Sequence, residues 1–172
     1  MKYKVEPTQR ERVMREDDFI VSKTDLKGRI TYCNRIFIEF SGYTESELLG
    51  AQHNIVRHPD MPRGVFKFLW DTIAQKNECF AYVKNMSRDG AFYWVFANIT
   101  PDLDAQGNTI GYFSVRRKAK PSAIAVLNDV YKQMLAEEHR AGPNDACEAS
   151  IALLTGVLQQ KGLSYEQLIL SL

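Results

Sequence analysis

Residues 79–100, CFAYVKNMSRDGAFYWVFANIT, contain two β-prone runs on either side of the dipeptide Asp89-Gly90. An Asp-Gly pair between runs rich in aromatic and β-branched residues is a strong signal for a β-hairpin. Because strand side chains alternate between the two faces of a sheet, each run presents one face with small residues and one aromatic face. The stretch therefore predicts a hairpin with two unequal faces.

The small face of this hairpin raises the question of what fills the space above it. Its residues are Cys79, Ala81, Val83 and Asn85 on the first strand and Tyr93, Val95, Ala97 and Ile99 on the second. Protein interiors are densely packed, so this space holds either large helix side chains such as Phe37, Phe66 and Trp70 or a ligand. The opposite face carries Phe80, Phe92, Trp94 and Phe96. We expect the C-terminal helices or a second subunit to cover that aromatic face.

The segments around the hairpin extend the sheet. Upstream, residues 19–24 and 29–33 form two β-prone runs separated by Lys27-Gly28, which predicts a first hairpin. Thr44 and Glu47 have the spacing of a capping box, and apolar residues recur at helical spacing over residues 63–75. Residues 109–116 form a last β-prone run. The order is two strands, a helical middle and a three-stranded meander.

Beyond Pro121 the pattern becomes helical. Two amphipathic stripes are separated by Gly142-Pro143-Asn144, and Ser164 with Gln167 has capping-box spacing before a short final helix. We therefore divide the chain into an N-terminal cap segment (1–18), a sensor domain (19–118) and a helical extension (121–172).

Composition limits the classes of function. The chain has 22 Lys and Arg residues against 21 Asp and Glu residues, so we expect no binding to nucleic acid. The N-terminus is too polar for a signal peptide, and no apolar run approaches the roughly 20 residues that span a bilayer, so we expect a cytoplasmic protein without membrane insertion. No catalytic set of nucleophile and base and no phosphate-binding glycine loop is recognisable, and we expect no enzyme activity.

Residues 53–62, HNIVRHPDMP, concentrate polar chemistry in a chain with three histidines. This segment either binds a ligand or shapes a surface loop. A metal site formed by His53, His58 and Asp60 matches no strong ligand spacing. The three cysteines are also not clustered, which favours reduced thiols over disulfides or metal ligands.

Five stretches together resemble a PAS domain of the aerotaxis-receptor type. They are TDLKGRITYCN (24–34), FSGYTESELLG (40–50), HNIVRHPDMP (53–62), VKNMSRDGAFYWVFANITP (83–101) and GYFSVRRKA (111–119). The resemblance implies an α+β fold with a five-stranded antiparallel sheet, short helices on one face and a C-terminal helical extension. Members of this branch bind FAD noncovalently and report redox state.

The resemblance also implies a set of flavin-binding positions. They are Asn34, Arg57, His58, Asp60, Phe66, Trp70, Asn85 and Tyr93. The Arg57 guanidinium suits a diphosphate, which His58 and Asp60 can help to orient, and the Asn85 amide offers a donor and an acceptor to an isoalloxazine edge. By alignment, Ser114 and Arg116 approach the redox-active edge, where Arg116 would favour an anionic, reduced form; otherwise Arg116 is a solvated charge at a strand end.

One position departs from the family. Cys79 stands where these proteins usually have tryptophan, and the loss of a stacking wall could weaken FAD binding or admit another ligand. Cys79 is therefore included among the cofactor-binding positions. A flavin–thiol photoadduct of the LOV type is not expected, because the LOV consensus with its reactive cysteine is absent and His53 lies near that position.

The function implied by the resemblance is a sensory module. Bound FAD would report redox, oxygen or energy state to a chemotaxis transducer or another signalling protein, and the chain would form a homodimer. If the chain is a fragment of a receptor, its output domain lies beyond Leu172. Two alternatives stay open: a ligand-free PAS module that serves dimerisation, and a haem-based gas sensor with His58 as axial ligand.

Overall fold

The computed structural model describes residues 5–172, so the first four residues of the cap segment lie outside the described residues. The strands are β1 (Ile20–Thr24), β2 (Ile30–Cys33), β3 (Cys79–Met86), β4 (Phe92–Leu103) and β5 (Thr109–Lys118). The α-helices are α1 (Arg35–Ser41), α2 (Glu45–Leu48), α3 (Arg63–Ala74), α4 (Pro121–Lys161) and α5 (Tyr165–Ser171), with a 3-10 turn at His53–Val56. Among these helices, none has the length and apolar character needed to cross a membrane.

The five strands form one antiparallel sheet in the order β2-β1-β5-β4-β3. This confirms the predicted fold class. The turns follow from local chemistry: Asp25 accepts hydrogen bonds from the backbone N–H groups of Lys27 and Arg29, and Gly28 takes the positive φ of 75° that the first hairpin requires.

The register of β3 and β4 preserves the two unequal faces. Ala81 pairs with Ala97 and Val83 with Val95 on the small face, which contacts the short helices. On the aromatic face, the rings of Phe80 and Phe96 stack with their centroids 5.9 Å apart.

Helix α4 covers the aromatic face with its first half. Tyr131 stacks on Trp94 at a centroid separation of 6.3 Å, and its hydroxyl donates a 2.8 Å hydrogen bond to the Tyr82 carbonyl. The cover expected from the sequence is thus supplied by the chain itself.

The predicted break in the C-terminal helical region is a kink inside α4. Gly142 has φ 80° and ψ 172°, and Pro143 follows it. Beyond the kink, α4 packs against α3, and α5 begins with the predicted capping box at Ser164 and Gln167. The division into cap segment, sensor domain and extension stays a prediction, although α4 and α5 bury side chains in the same core as the sheet.

Candidate functional site

A cavity of about 390 Å³ lies between the small face of the sheet and α3. This volume lies in the range of small-molecule sites. The sheet contributes Ser22, Thr24, Val83, Asn85, Ala97, Ile99, Tyr112, Ser114 and Arg116 to the lining. The turn between β1 and β2 contributes Gly28, and the helical side contributes Gln52, His53, Asn54, Arg57, Arg63, Phe66, Lys67, Leu69, Trp70, Ile73 and Cys147.

The cavity exists because the side chains of α3 line the small face without filling the space. Phe66 and Trp70 lie on the helical wall, opposite Ala97 and Val83. Phe37 is fully buried against the ring of His53, at a centroid separation of 5.7 Å, and is not a lining residue. Six of the predicted site residues line the cavity: Arg57, Phe66, Trp70, Asn85, Ser114 and Arg116.

Arg116 places a positive charge in the protein interior. The alternative reading of the sequence, a solvated charge at the end of a strand, is therefore wrong. Arg116 is 2% exposed, and its guanidinium lies 4.6 Å from the Phe37 ring centroid. Burial lowers the pKa of Arg116 from 12.5 to about 10. Nη1 lies 3.1 Å from His53 Nε2, and Nη2 donates to the Ser22 hydroxyl. Across residues 5–172, Nε finds no hydrogen-bond partner and no carboxylate offsets the charge.

His53 completes this polar cluster at the sheet end of the cavity. Burial and the Arg116 charge lower its pKa from 6.5 to about 3, so the imidazole is neutral at pH 7. Since a guanidinium can only donate, Nε2 of His53 accepts from Arg116, and the proton of the neutral ring is on Nδ1. The Ser22 hydroxyl lies 3.3 Å from the same nitrogen.

Arg57 and Asn85 are adjacent through their backbones. They form an isolated antiparallel bridge, which places the 53–62 segment beside β3. The Arg57 guanidinium lies 4.6 Å from the Phe66 ring centroid and donates a 3.0 Å hydrogen bond to the Met61 carbonyl. Burial lowers the pKa of Arg57, which still leaves it protonated at pH 7. Asn85 is 4% exposed and lines the cavity.

The remaining five predicted residues do not line the cavity. Asn34 is the N-cap of α1, where its Oδ1 accepts from the backbone N–H groups of Phe37 and Val21. Tyr93 is completely buried with its hydroxyl unpartnered among the described residues. Cys79 is 3% exposed, and burial raises its pKa to about 12, so its thiol is unreactive at pH 7.

His58 and Asp60 lie together at the aromatic face of the β3–β4 hairpin, where the His58 ring meets the Phe92 ring edge to face at a centroid separation of 6.2 Å. The Nδ1 atom of His58 accepts a 3.0 Å hydrogen bond from the Asp60 backbone N–H, and burial lowers the pKa of His58 to about 4. The Asp60 carboxylate accepts a 2.7 Å hydrogen bond from Lys84. These contacts fix the turn that follows Arg57. Residues 5–172 contain no group of three or more His, Cys, Asp or Glu side chains suited to a metal ion.

Several lining residues were not predicted as site residues. Ser22 lies two residues after Ile20 on β1 and so faces the core with it, and a serine at a core-facing strand position is a signal that the sequence offers. His53 is not among the flavin-binding positions that the resemblance implies, yet it lines the cavity and hydrogen-bonds to Arg116. Cys147 reaches the cavity from α4, and no local pattern indicates that contact.

Comparisons with known proteins agree with this fold. A sequence family described as PAS fold matches residues 30–116. The aerotaxis receptor of Escherichia coli (strain K12) is 40% identical over 129 residues, which cover 75% of this chain and 25% of that receptor. The nitrogen fixation regulatory protein of Klebsiella pneumoniae is 32% identical over 97 residues, which cover 56% of this chain and 20% of that protein. This chain thus spans a quarter or less of the length of either relative.

Among solved structures, the light state of the blue-light photoreceptor Aureochrome1 LOV superimposes with a TM-score of 0.57. The match covers 66% of this chain and 90% of the photoreceptor chain at 20% sequence identity. The likeness is one of fold.

Proposed function

This chain belongs to the PAS fold family, and from that premise we propose that it is a sensory module that binds FAD noncovalently and reports redox, oxygen or energy state. The observation that carries the proposal is the cavity between the small face of the sheet and α3, with a buried, uncompensated arginine at one end. A buried positive charge without a carboxylate is costly unless a ligand supplies electron-rich atoms.

The lining residues fit the parts of FAD. The apolar walls formed by Val83, Ala97 and Phe66 suit an aromatic ring system, and the Asn85 amide offers both a donor and an acceptor to its edge. Arg57 and Arg63 line the same cavity from the helical side, and guanidinium groups suit phosphate oxygens.

Bound FAD would supply an isoalloxazine ring that takes up electrons and protons and so changes the charge and hydrogen bonding at its edge. Arg116 offers a fixed positive charge and an unpartnered Nε–H to electron-rich atoms in the cavity. His53 and Ser22 hold the guanidinium in place, because both hydrogen-bond to it. A change of charge in the cavity would therefore act directly on β5 and on the 53–62 segment.

The recipient of the signal is proposed to be a chemotaxis transducer or another signalling protein. The names of the relatives, an aerotaxis receptor and a nitrogen fixation regulatory protein, support a sensory role. We also propose a homodimer, because Phe19, which directly precedes β1, and Tyr32 on β2 are large apolar side chains with 45% and 48% exposure. The cytoplasmic location and the absence of enzyme activity stay predictions.

An absorption spectrum of the freshly purified protein tests the cofactor, followed by release of the chromophore by heat and its identification as FAD, FMN or neither. Arg57→Ala and Asn85→Ala should each lose most of the bound FAD. Asn98→Ala is the matched control, because Asn98 lies on the opposite face of the sheet and bonds to Glu78. Full FAD occupancy in both site variants would contradict the site assignment.

Two other outcomes of this measurement would support the alternative functions instead of FAD binding. A Soret band would indicate the haem-based sensor. Colourless protein that takes up no added FAD would indicate the ligand-free interaction module.

A further inference from the structure

A buried carboxylate connects α4 to the helical wall of the cavity. Glu138 is 5% exposed, and its Oε1 accepts hydrogen bonds from the Gly64 backbone N–H at 2.9 Å and from the Ser150 hydroxyl at 2.7 Å. Helix α3 begins after Pro62, which provides no side-chain cap. Glu138, 74 positions along the chain from Gly64, therefore satisfies one of the free N–H groups in the first turn of α3.

The two helices meet at very short range at this point. A Cβ atom built on Gly64 would lie 2.0 Å from the Ser150 hydroxyl oxygen and 3.3 Å from the Cys147 carbonyl oxygen. In addition, Arg63 Nη1 donates a 3.3 Å hydrogen bond to the Pro143 carbonyl, directly after the kink. The segment of α4 beyond Gly142 is thus held against the start of α3.

The same two segments form part of the cavity lining. Arg63, Phe66 and Trp70 line it from α3, and Cys147 lines it from α4. If α3 moved away from α4, the wall would shift and the Glu138 carboxylate would lose the hydrogen bond from Gly64, whereas the hydrogen bond from Ser150, which lies on α4 itself, would remain. A buried carboxylate that loses a hydrogen-bond donor is destabilised, so this contact favours the arrangement in which α3 lies against α4.

We propose that residues 143–161 of α4 form a wall of the cofactor site and that Glu138 is the positioning residue that holds α3 against them. Occupancy of the cavity and docking of this helical segment are then linked, and each stabilises the other. The inference rests on the proposed binding of FAD. It assigns the C-terminal helix as the element whose docking responds to the cofactor.

Amide hydrogen exchange of the full chain, with and without saturating FAD, tests the linkage without any substitution. We expect FAD to slow exchange in residues 143–161 by about tenfold, in the range of coupling between two sites. Exchange in this segment that is unchanged while FAD is demonstrably bound overturns the inference alone. A chain that takes up no FAD overturns the proposed function and this inference with it.

Substitutions then separate positioning from simple folding. Glu138→Ala should weaken FAD binding by about tenfold and abolish the FAD-dependent protection of residues 143–161. Glu138→Gln should restore both, because both hydrogen bonds end on Oε1, which the amide retains. Glu148→Ala is the matched control, an exposed glutamate on the same helix.

Unfolding by urea reports whether each variant is folded at the start. Should Glu138→Ala fail to fold, Glu138→Gln and the exchange of the unsubstituted chain still decide the matter. FAD affinity that is equal in Glu138→Ala, Glu138→Gln and Glu148→Ala, with all three folded, overturns the inference.

Discussion

Replacing Gly64 with alanine tests whether the contact between α3 and α4 is as close as the structure shows. In an open helix, alanine is favoured over glycine by up to about 1 kcal/mol, because glycine loses more backbone entropy on folding. At Gly64 the new Cβ would lie 2.0 Å from the Ser150 hydroxyl oxygen, a distance that real Cβ atoms essentially never show. The sign of the effect on stability should therefore reverse.

The magnitude follows from opposing terms. Inserting one carbon into a packed contact typically costs about 1–3 kcal/mol, and the added carbon would also strain the hydrogen bonds to Glu138, worth about 1 kcal/mol each. The gain in helix propensity offsets part of these costs. We therefore expect Gly64→Ala to lower the free energy of unfolding by about 1–2 kcal/mol.

The protein provides its own control at Gly156 on α4, where an added Cβ meets nothing within 4 Å. Gly156→Ala should raise the free energy of unfolding by about 0.5–1 kcal/mol. Ser150→Ala removes the oxygen responsible for the clash and leaves 3.2 Å as the shortest contact. Gly64→Ala should then cost at least about 1 kcal/mol less in the Ser150→Ala background than alone.

Urea unfolding at equilibrium, followed by circular dichroism, measures the free energy of unfolding of the unsubstituted chain, the three single variants and the double variant, provided that the transition is two-state. A Gly64→Ala variant that is stabilised like Gly156→Ala would refute the close approach. Full additivity of Gly64→Ala and Ser150→Ala would refute the clash as its cause.

Three further predictions concern the buried polar groups. His53 has a pKa of about 6.5 in the unfolded chain and about 3 in the folded protein. Between these two values, each pH unit of acidification should therefore lower the free energy of unfolding by up to about 1.4 kcal/mol. Urea unfolding at about pH 7, 6 and 5 measures this pH dependence of the free energy of unfolding. His53→Gln should remove the contribution of His53 to it, whereas replacement of the exposed His139 by Gln should leave that contribution in place. Tyr93→Phe deletes a buried, unpartnered hydroxyl and should raise the free energy of unfolding of flavin-free protein by about 1 kcal/mol; a decrease would show that the hydroxyl has a partner. Arg116→Met should lower the midpoint potential of bound flavin by about 60 mV in a spectroscopic redox titration, whereas Arg117→Met, on the other face of β5, should not. Equal potentials in both variants would contradict the role of Arg116.

Most of the fold could be predicted because its signals are local. The Asp89-Gly90 turn, the alternation along β3 and β4 and the two capping boxes each depend on residues a few positions apart. The same alternation places Asn85 on the small face of the hairpin, and Asn85 lines the cavity. For Arg116 the residues left a solvated strand end open, and only the resemblance assigns it to the site.

The site could be predicted only in part, because several of its contacts join distant segments. His53 hydrogen-bonds to Arg116, 63 positions away, and Arg116 to Ser22, 94 positions away. Asn34 illustrates the opposite case: the resemblance assigned it to the cofactor, yet in the structure its side chain caps α1.

The order of residues is sufficient to show which faces of the strands and helices are apolar, since side-chain alternation and helical periodicity are properties of the backbone. It does not show which surface covers each face, because that choice depends on the total area buried and on shape. Only the tertiary structure places Tyr131 over the aromatic face and Glu138 at the start of α3. The lowered pKa values of Arg116 and His53 also depend on the tertiary structure, because segments that are distant in the sequence bury both side chains.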